Sequence, residues 1–378
     1  MKKVITRSPR SNKRVIITGG HHTSALPVIQ ELKTQYPDVE IFWFGHKFSL
    51  KGDKNPTLEF REISALGIKF FDLKAGKFYK TFNPVRLLRI PFGFFQAFWW
   101  LLKVRPQVIL SFGGYLAVPV VLAGWFLGIP SVTHEQTVVA GYANKVIALF
   151  AKKIMVSWEE SKKHFPKNKV VFTGLPLRQA LFETRSNNFD INEALPTLYI
   201  TAGKTGSHKI NMAAKDALGE LLQVCNVIHQ CGDYSEYDDF GDLGATVRAL
   251  GKTPGKYSLR KFVLENEIGE VFAKSDVFLC RAGAHTVKEL LTFKKLAVLV
   301  PIPWVSHNEQ YENARLIVDA GLGVILAEEK LGSSVLVGVV GSLLAKVPNE
   351  EFVPEYSDKA TKQIVSVVLE NSSAVRIQ

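Results

Sequence analysis

The sequence predicts an α/β protein of two domains, each built on a mostly parallel, doubly wound sheet. Two observations carry this. Short apolar runs alternate with small or polar turns and amphipathic stretches, which is the βα repeat of such sheets. The length of 378 residues exceeds one ordinary core, and suits two units of roughly 150–200 residues.

In chain order, strands are expected at Arg14 to Thr18, Glu40 to Phe44, Ile68 to Leu73, Val108 to Phe112, Ser131 to Thr133, Ile154 to Ser157 and Lys169 to Thr173, with helix-length segments such as Ser24 to Gln35 between them. Between Gln107 and Thr133 no charged residue occurs, as in a membrane span. Gly113-Gly114, Pro119, Gly124, Gly128 and Pro130 divide that run into strand, loop, short buried helix and strand. After Gly174-Leu175-Pro176-Leu177-Arg178 the pattern loosens through the polar stretch Glu183 to Asn192. It restarts with strands at Thr197 to Thr201, Cys225 to Cys231, Val277 to Cys280 and Ala297 to Val300. The expected division is residues 1–180, residues 181–353 and a C-terminal helix in 354–378 that crosses back to the first domain.

With 47% apolar and 22% charged residues the chain is globular rather than disordered. Its net charge of +12 calls for an anionic partner: nucleic acid, anionic lipid or a phosphorylated substrate. No helix-turn-helix, zinc-finger or RNA-binding aromatic signature favours nucleic acid, and none is expected as a partner. Cys225, Cys231 and Cys280 have neither metal-ligand spacing nor a disulfide framework, so no metal is expected and a reducing compartment is. Met1 to Arg14 is basic and polar without an apolar stretch behind it, so no secretory signal is expected.

Chemistry in open α/β sheets gathers beyond the carboxyl ends of strands, and several turns there are unusual. Arg281-Ala282-Gly283-Ala284-His285-Thr286-Val287-Lys288-Glu289 follows the apolar run Val277 to Cys280. A small-residue turn into a helix start can hold a pyrophosphate on backbone N–H groups, and Glu289, one to two turns in, can accept hydrogen bonds from a ribose diol. A plain βα turn with a surface Glu has the same sequence, and this segment alone does not separate the two. In Thr18-Gly19-Gly20-His21-His22-Thr23 the glycines allow close approach to a phosphate, and either histidine can take a proton from a hydroxyl or merely cap the helix. Ser111-Phe112-Gly113-Gly114-Tyr115 and Thr133-His134-Glu135-Gln136-Thr137, the latter followed by Ala140-Gly141-Tyr142-Ala143-Asn144-Lys145, place polar clusters directly after buried strands. Such clusters need partners or a ligand, and a structural network linking loops is the alternative. Thr201-Ala202-Gly203-Lys204-Thr205-Gly206-Ser207 lacks the spacing of an ATP phosphate loop.

Between Arg86 and Arg105 a run of apolar residues, among them Phe92, Phe94, Phe95, Phe98, Trp99 and Trp100, is flanked by Arg86, Arg89, Lys103 and Arg105. An aromatic, cation-flanked helix of this length suits a membrane interface. The alternative is a helix of the α/β sheet buried on one side.

Together these segments resemble the MurG family of glycosyltransferases, in glycosyltransferase family 28, as a divergent member. The resemblance runs from Arg14 to about Leu326, through Thr18-Gly19-Gly20-His21 with Ala25-Leu26-Pro27, Gly113-Gly114-Tyr115, His134-Glu135-Gln136 with Ala140-Gly141 and Asn144-Lys145, Leu175-Pro176-Leu177-Arg178, Arg281-Ala282-Gly283-Ala284 with Thr286-Val287 and Glu289, and Gln310 with Asn313-Ala314. It implies a GT-B fold of two Rossmann-like domains, and transfer of N-acetylglucosamine from UDP-N-acetylglucosamine to a polyprenyl-diphosphate-linked muramyl peptide in peptidoglycan synthesis. It implies a peripheral enzyme on the cytoplasmic face of an anionic membrane, with no cofactor. By position, His21 is implied as general base, and Gly19, Gly20, Gly113, Gly114, Tyr115, His134, Glu135 and Asn144 as the acceptor-diphosphate pocket. On the donor side it implies Gly203 as donor-binding, Arg178 and Arg281 facing the diphosphate or the cleft, Gly283, Ala284, His285 and Thr286 near the diphosphate, Phe262 and Val263 at uracil, Glu289 at the ribose, and Gln310 and Asn313 at the sugar. Leaving-group charge would be met by the helix start near Ala284 to Val287 instead of a metal. The chain departs from the family at Ile16-Ile17, Thr137, Lys204-Thr205 and His285.

Three other functions fit these residues. They are transfer to another lipid such as diacylglycerol, a UDP-sugar 2-epimerase, which needs no aromatic patch, and a non-catalytic sugar-nucleotide-binding subunit.

Overall fold

A computed structural model describes residues 13–20, 22–48, 56–75, 84–234, 236–305, 308–347, 352 and 354–372, with the side chains of 84–90 left aside. The chain divides by contact into two units, Met1–Pro176 with Asp358–Gln378, and Leu177–Ser357.

In the first unit the order is β1 (Arg14–Thr18), α1 (His22–Gln35), β2 (Glu40–Gly45), α2 (Leu58–Ala65), β3 (Lys69–Asp72), α3 (Pro84–Val104), β4 (Val108–Ser111), α4 (Ala117–Phe126), β5 (Ser131–Glu135), α5 (Tyr142–Phe150), β6 (Lys153–Val156) and β7 (Val170–Phe172). The described strands form one parallel sheet ordered β3-β2-β1-β4-β5-β6-β7. The central strands β4 and β5 are buried at every position, because helices cover both faces. Ile16 and Ile109 point into one core with α3, α4 and α5, while Val15, Ile17 and Leu110 point into the other with α1. The second core also takes Ile364, Val365 and Val368 from the C-terminal helix, Lys359–Glu370. Ile16 and Ile17 are thus strand residues, and the glycine turn is confined to the positions after Thr18.

The second unit repeats the plan with β8 (Thr197–Thr201), α6 (His208–Val224), β9 (Asn226–Gln230), α7 (Asp239–Ala249), β10 (Tyr257–Arg260), α8 (Ile268–Lys274), β11 (Val277–Cys280), α9 (Ala284–Phe293), β12 (Leu296–Leu299), α10 (Glu309–Asp319), β13 (Gly323–Ile325) and α11 (Ser333–Leu344). Its described strands run β10-β9-β8-β11-β12-β13, all parallel. The C-terminal helix, in the first unit, is therefore α12. Strands β10 and β13 were not anticipated from sequence. Both lie at sheet edges and are only half-buried; Tyr257-Ser-Leu-Arg alternates polar and apolar residues, and the short strand Gly323-Val-Ile opens on a glycine.

Each sheet has one place where consecutive strands depart in opposite directions, between β1 and β4 in the first and between β8 and β11 in the second. A crevice opens there beyond the carboxyl ends, and this is where such sheets bind ligands.

Candidate functional site

In the first unit the turns after β1 and β4 touch at that crevice. Gly20 N donates to Gly113 O at 3.1 Å. Gly19 has φ +138°, and a Cβ there would stand 2.8 Å from Gly113 O, so only glycine lets the turns approach this closely. Asn144, on the first turn of α5, packs against Gly113 and is anchored by Glu135, whose Oε2 accepts from Asn144 Nδ2 at 2.9 Å and Gly141 N at 3.2 Å. Oε1 of Glu135 accepts from the Thr137 amide and hydroxyl at 3.1 and 2.9 Å, so Thr137 also ties this carboxylate. Glu135 is buried and its four bonds make it the organiser of the loop after β5. Its neighbour His134 points to the opposite face, with Nε2 3.0 Å from Gly174 O and its ring against Phe112. Gly19, Gly20, Gly113, Gly114, Glu135 and Asn144 therefore share one neighbourhood, and His134 sits beneath it.

Tyr115 completes the rim. Its hydroxyl lies 2.9 Å from Nε2 of His46, just after β2, and burial with the nearby Glu59 raises its pKa above the usual tyrosine value. Glu59 is itself pushed up to about 7 by burial, against the pull of the Trp43 indole N–H 2.6 Å away and of His22. His22 Nε2 is held 2.9 Å from Glu62 Oε2 on α2. His21, the candidate base, lies outside the described residues.

In the second unit the turn after β8 is clamped by Gln230, at the end of β9. Its Nε2 donates to Gly203 O at 2.9 Å and Thr201 Oγ1 at 3.2 Å, while its Oε1 accepts from Val263 N at 2.8 Å. One side chain thus positions Gly203 and the Phe262-Val263 segment together, and Phe262 is left exposed. The sequence reading missed Gln230 because it lay inside what read as a single strand, Cys225 to Cys231.

Gly283 precedes α9 and offers no side chain to cap it; Ala284, His285 and Thr286 form its first turn. Glu289 is buried one turn further on, with Oε1 3.1 Å from Arg178 Nη2; Arg178 Nη1 lies 3.1 Å from Glu265 Oε2. Burial raises the Glu289 pKa and Arg178 offsets part of that rise. Asn313 is buried and donates to Ala282 O at 3.2 Å, while Gln310 Oε1 accepts from Ile302 N at 3.1 Å, so both brace the loops beside α9. Arg281 is turned inward. It pairs with the buried Glu328, donates to Ser207 Oγ at 2.7 Å and to Val300 O at 3.1 Å, and so joins the turns after β8 and β11. Glu328 also takes Lys209 at 2.8 Å, and these cations hold its pKa low despite burial. Among the described residues no cluster of His, Cys, Asp and Glu is arranged to hold a metal ion.

A third feature of the first unit is an exposed aromatic face on α3, α4 and α5. Phe92, Phe95 and Trp99 of α3 are exposed, as are Trp125 and Phe126 of α4 and Tyr142, Val146 and Leu149 of α5. Phe94 stacks edge-on against Phe126 at 5.7 Å, which joins the α3 and α4 portions. Lys103 lies 4.8 Å over the Trp99 ring and Lys145 5.9 Å over Tyr142, so cations border the apolar face. Phe94, Phe98 and Trp100 pack against the core. The segment thus has both characters, a buried side and an exposed aromatic side. No described helix is long and apolar enough to cross a membrane.

Residues 15–156 match the glycosyltransferase family 28 N-terminal domain, and residues 197–368 its C-terminal domain. A relative from Anaeromyxobacter dehalogenans is 31% identical over 93% of this chain and 90% of its own. One from Bacillus cereus is 29% identical over 96% of this chain and 99% of its own. Both bear the name UDP-N-acetylglucosamine--N-acetylmuramyl-(pentapeptide) pyrophosphoryl-undecaprenol N-acetylglucosamine transferase, the Bacillus protein with the suffix 2. Among solved structures, Acinetobacter baumannii MurG superposes with TM-score 0.66 at 24% identity over 95% of this chain and 99% of that one. A UDP-GlcNAc 2-epimerase from Neisseria meningitidis bound to UDP-GlcNAc superposes with TM-score 0.63 at 14% identity over 95% of this chain and 100% of that one. The two crevices and the twin parallel sheets are accordingly those of a GT-B glycosyltransferase, and the chain belongs to glycosyltransferase family 28.

Proposed function

We propose that the protein transfers N-acetylglucosamine from UDP-N-acetylglucosamine to a muramyl-peptide carried on a polyprenyl diphosphate, the step in peptidoglycan synthesis that its relatives' names describe. The observation that carries this is relatives so named at about 30% identity along nearly the whole chain. The donor lies over the carboxyl ends of β8 and β11, its diphosphate at the uncapped start of α9 and its ribose on Glu289. Val263 has already given its N–H to Gln230, so it meets the uracil through its carbonyl. Gln310 and Asn313 shape the sugar site by holding the loops around it.

On the acceptor side, Gly19, Gly20, Gly113 and Gly114 admit the lipid diphosphate, with Tyr115 at the rim and Asn144 behind. His21 removes the proton from the acceptor hydroxyl as that oxygen attacks the anomeric carbon and UDP departs with inversion. The helix dipole of α9 meets the charge that grows on the leaving phosphate. The enzyme sits on the cytoplasmic face of the membrane through the aromatic face of α3, α4 and α5, bordered by Lys103 and Lys145. That face also weighs against a 2-epimerase, whose substrate is soluble. Mass spectrometry of products from UDP-N-acetylglucosamine and a lipid-diphosphate muramyl-pentapeptide tests the reading. A product heavier by one N-acetylhexosamine supports it, and turnover only with diacylglycerol, or only epimerised nucleotide, refutes it.

A further inference from the structure

At the carboxyl end of the first sheet two side chains meet that no strand pairing brings together. His46 follows β2 and Tyr115 follows β4, and in the sheet β1 lies between those strands. The Tyr115 hydroxyl is nevertheless 2.9 Å from His46 Nε2, with the ring centroids 5.8 Å apart and the planes at 49°. The bond therefore crosses the line of β1 where that strand gives way to Gly19-Gly20. A Cβ at Gly20 would meet no atom within 4 Å, so this turn has open space beside it.

The backbone that carries His46 is tied from both sides. Gly45 O accepts from Leu73 N at 2.8 Å and Lys47 N donates to Asp72 Oδ1 at 2.9 Å, which fixes it to the end of β3. Thr57, the N-cap of α2, donates from Oγ1 to His46 O at 2.7 Å and from N to Lys47 O at 2.8 Å. The Tyr115 ring packs against the core that holds Phe44 and Leu116, and its polar tip is the part that reaches His46. Burial and the nearby Glu59 raise the Tyr115 pKa, so the phenol keeps its proton at neutral pH. A tyrosine hydroxyl can donate to one partner and accept from another. Facing a diphosphate, which only accepts, it gives its proton outward and takes the Nε2–H of His46 on its other side. Neutral imidazole with the proton on Nε2 suffices for this, and no charge on the ring is required.

We propose that His46 is a positioning residue for the acceptor: it holds the Tyr115 hydroxyl across the glycine turn, where that hydroxyl donates to the diphosphate of the lipid-linked substrate. The inference rests on the acceptor reading of this crevice given above. His46 acts through Tyr115 and does not itself touch the acceptor.

A double-mutant cycle on transfer to the lipid-diphosphate muramyl-pentapeptide tests this. His46→Ala and Tyr115→Phe should each raise the acceptor KM about three- to tenfold, the size of one hydrogen bond, with the KM for UDP-N-acetylglucosamine unchanged. His46→Ala added to Tyr115→Phe should bring no further loss. His46→Gln, which can place an amide N–H near the position of Nε2–H, should restore most of the loss. Losses that multiply in the double variant, an unchanged acceptor KM in either single variant, no rescue by Gln, or an equal rise in KM for both substrates overturns the inference and leaves the pair a loop brace. Should His46→Ala not fold, His46→Phe, which keeps a ring against Tyr115, takes its place in the cycle. Wild-type protein that transfers nothing to this acceptor overturns the functional reading instead. The wild type, both single variants and the double variant are then compared by their affinity for farnesyl diphosphate. Losses in the single variants that do not multiply uphold the bridge, and equal affinity throughout, or no binding by wild type, overturns it.

Discussion

Arg178 Nη2 lies 3.1 Å from Glu289 Oε1, and the pair closes over a carboxylate that is buried and one turn into α9. An acidic side chain in that position is unfavourable unless a cation or a ligand hydroxyl satisfies it. Glu289→Ala should lower UDP affinity about tenfold, since a charge-assisted hydrogen bond is worth roughly 1.5–3 kcal/mol. Calorimetry on folded protein checks this, and unchanged affinity removes Glu289 from the site.

The exposed aromatic face separates membrane binding from nucleotide binding. Replacing Phe95, Trp99, Phe126 and Leu149 with serine should release the protein from anionic vesicles in a flotation assay. UDP affinity should stay unchanged, because the four residues belong to the first unit. Higher salt should release wild-type protein in part, by screening Lys103 and Lys145. Phe94 and Trp100 are left in place because they pack against the core. Undiminished flotation of the variant would rule the face out as the membrane contact.

The two adjacent histidines should differ sharply. His21→Ala should reduce kcat by roughly 10²–10⁴-fold with little change in UDP affinity. His22 is committed to Glu62 at 2.9 Å, so His22→Ala should change kcat far less. The acidic limb of the pH–rate profile should flatten in His21→Ala alone. A larger kcat loss at His22 would transfer the role of base to it.

Acid should weaken the second unit through Glu270. Burial raises this carboxyl, but Lys274, Ser186 and the amides of Asn188 and Phe189 outweigh burial and hold it down at about 2, below its usual 4.5. The folded pKa is depressed, so the stabilisation is complete above about 4.5 and is lost as pH falls through about 2. Glu270→Gln should lower Tm markedly at neutral pH, and the gap from wild type should narrow through that window. A gap independent of pH would show that the ionised carboxylate is not what stabilises this segment.

Much of the fold was legible in the chain because its central strands are covered on both faces, and burial on both faces leaves an uninterrupted apolar run such as Val108 to Leu110 or Val277 to Leu279. An edge strand need not carry such a mark: β3 and β7 were legible, whereas Tyr257–Arg260 alternates polar and apolar residues and Gly323–Ile325 opens on a glycine. The turn glycines were legible too, since the close approach of Gly19 to Gly113 requires a residue without Cβ. What only the tertiary structure decided is where each polar side chain spends its hydrogen bonds. Arg281 and Glu289 both follow β11 in sequence, yet Arg281 turns inward to Glu328 while Glu289 takes Arg178 from 111 residues away. Gln230 carried no motif, and its clamp on Gly203 and Val263 arises from partners on neighbouring turns. Local sequence dictates burial and backbone conformation. The pairing of polar groups far apart in the chain depends on which turns each sheet brings side by side.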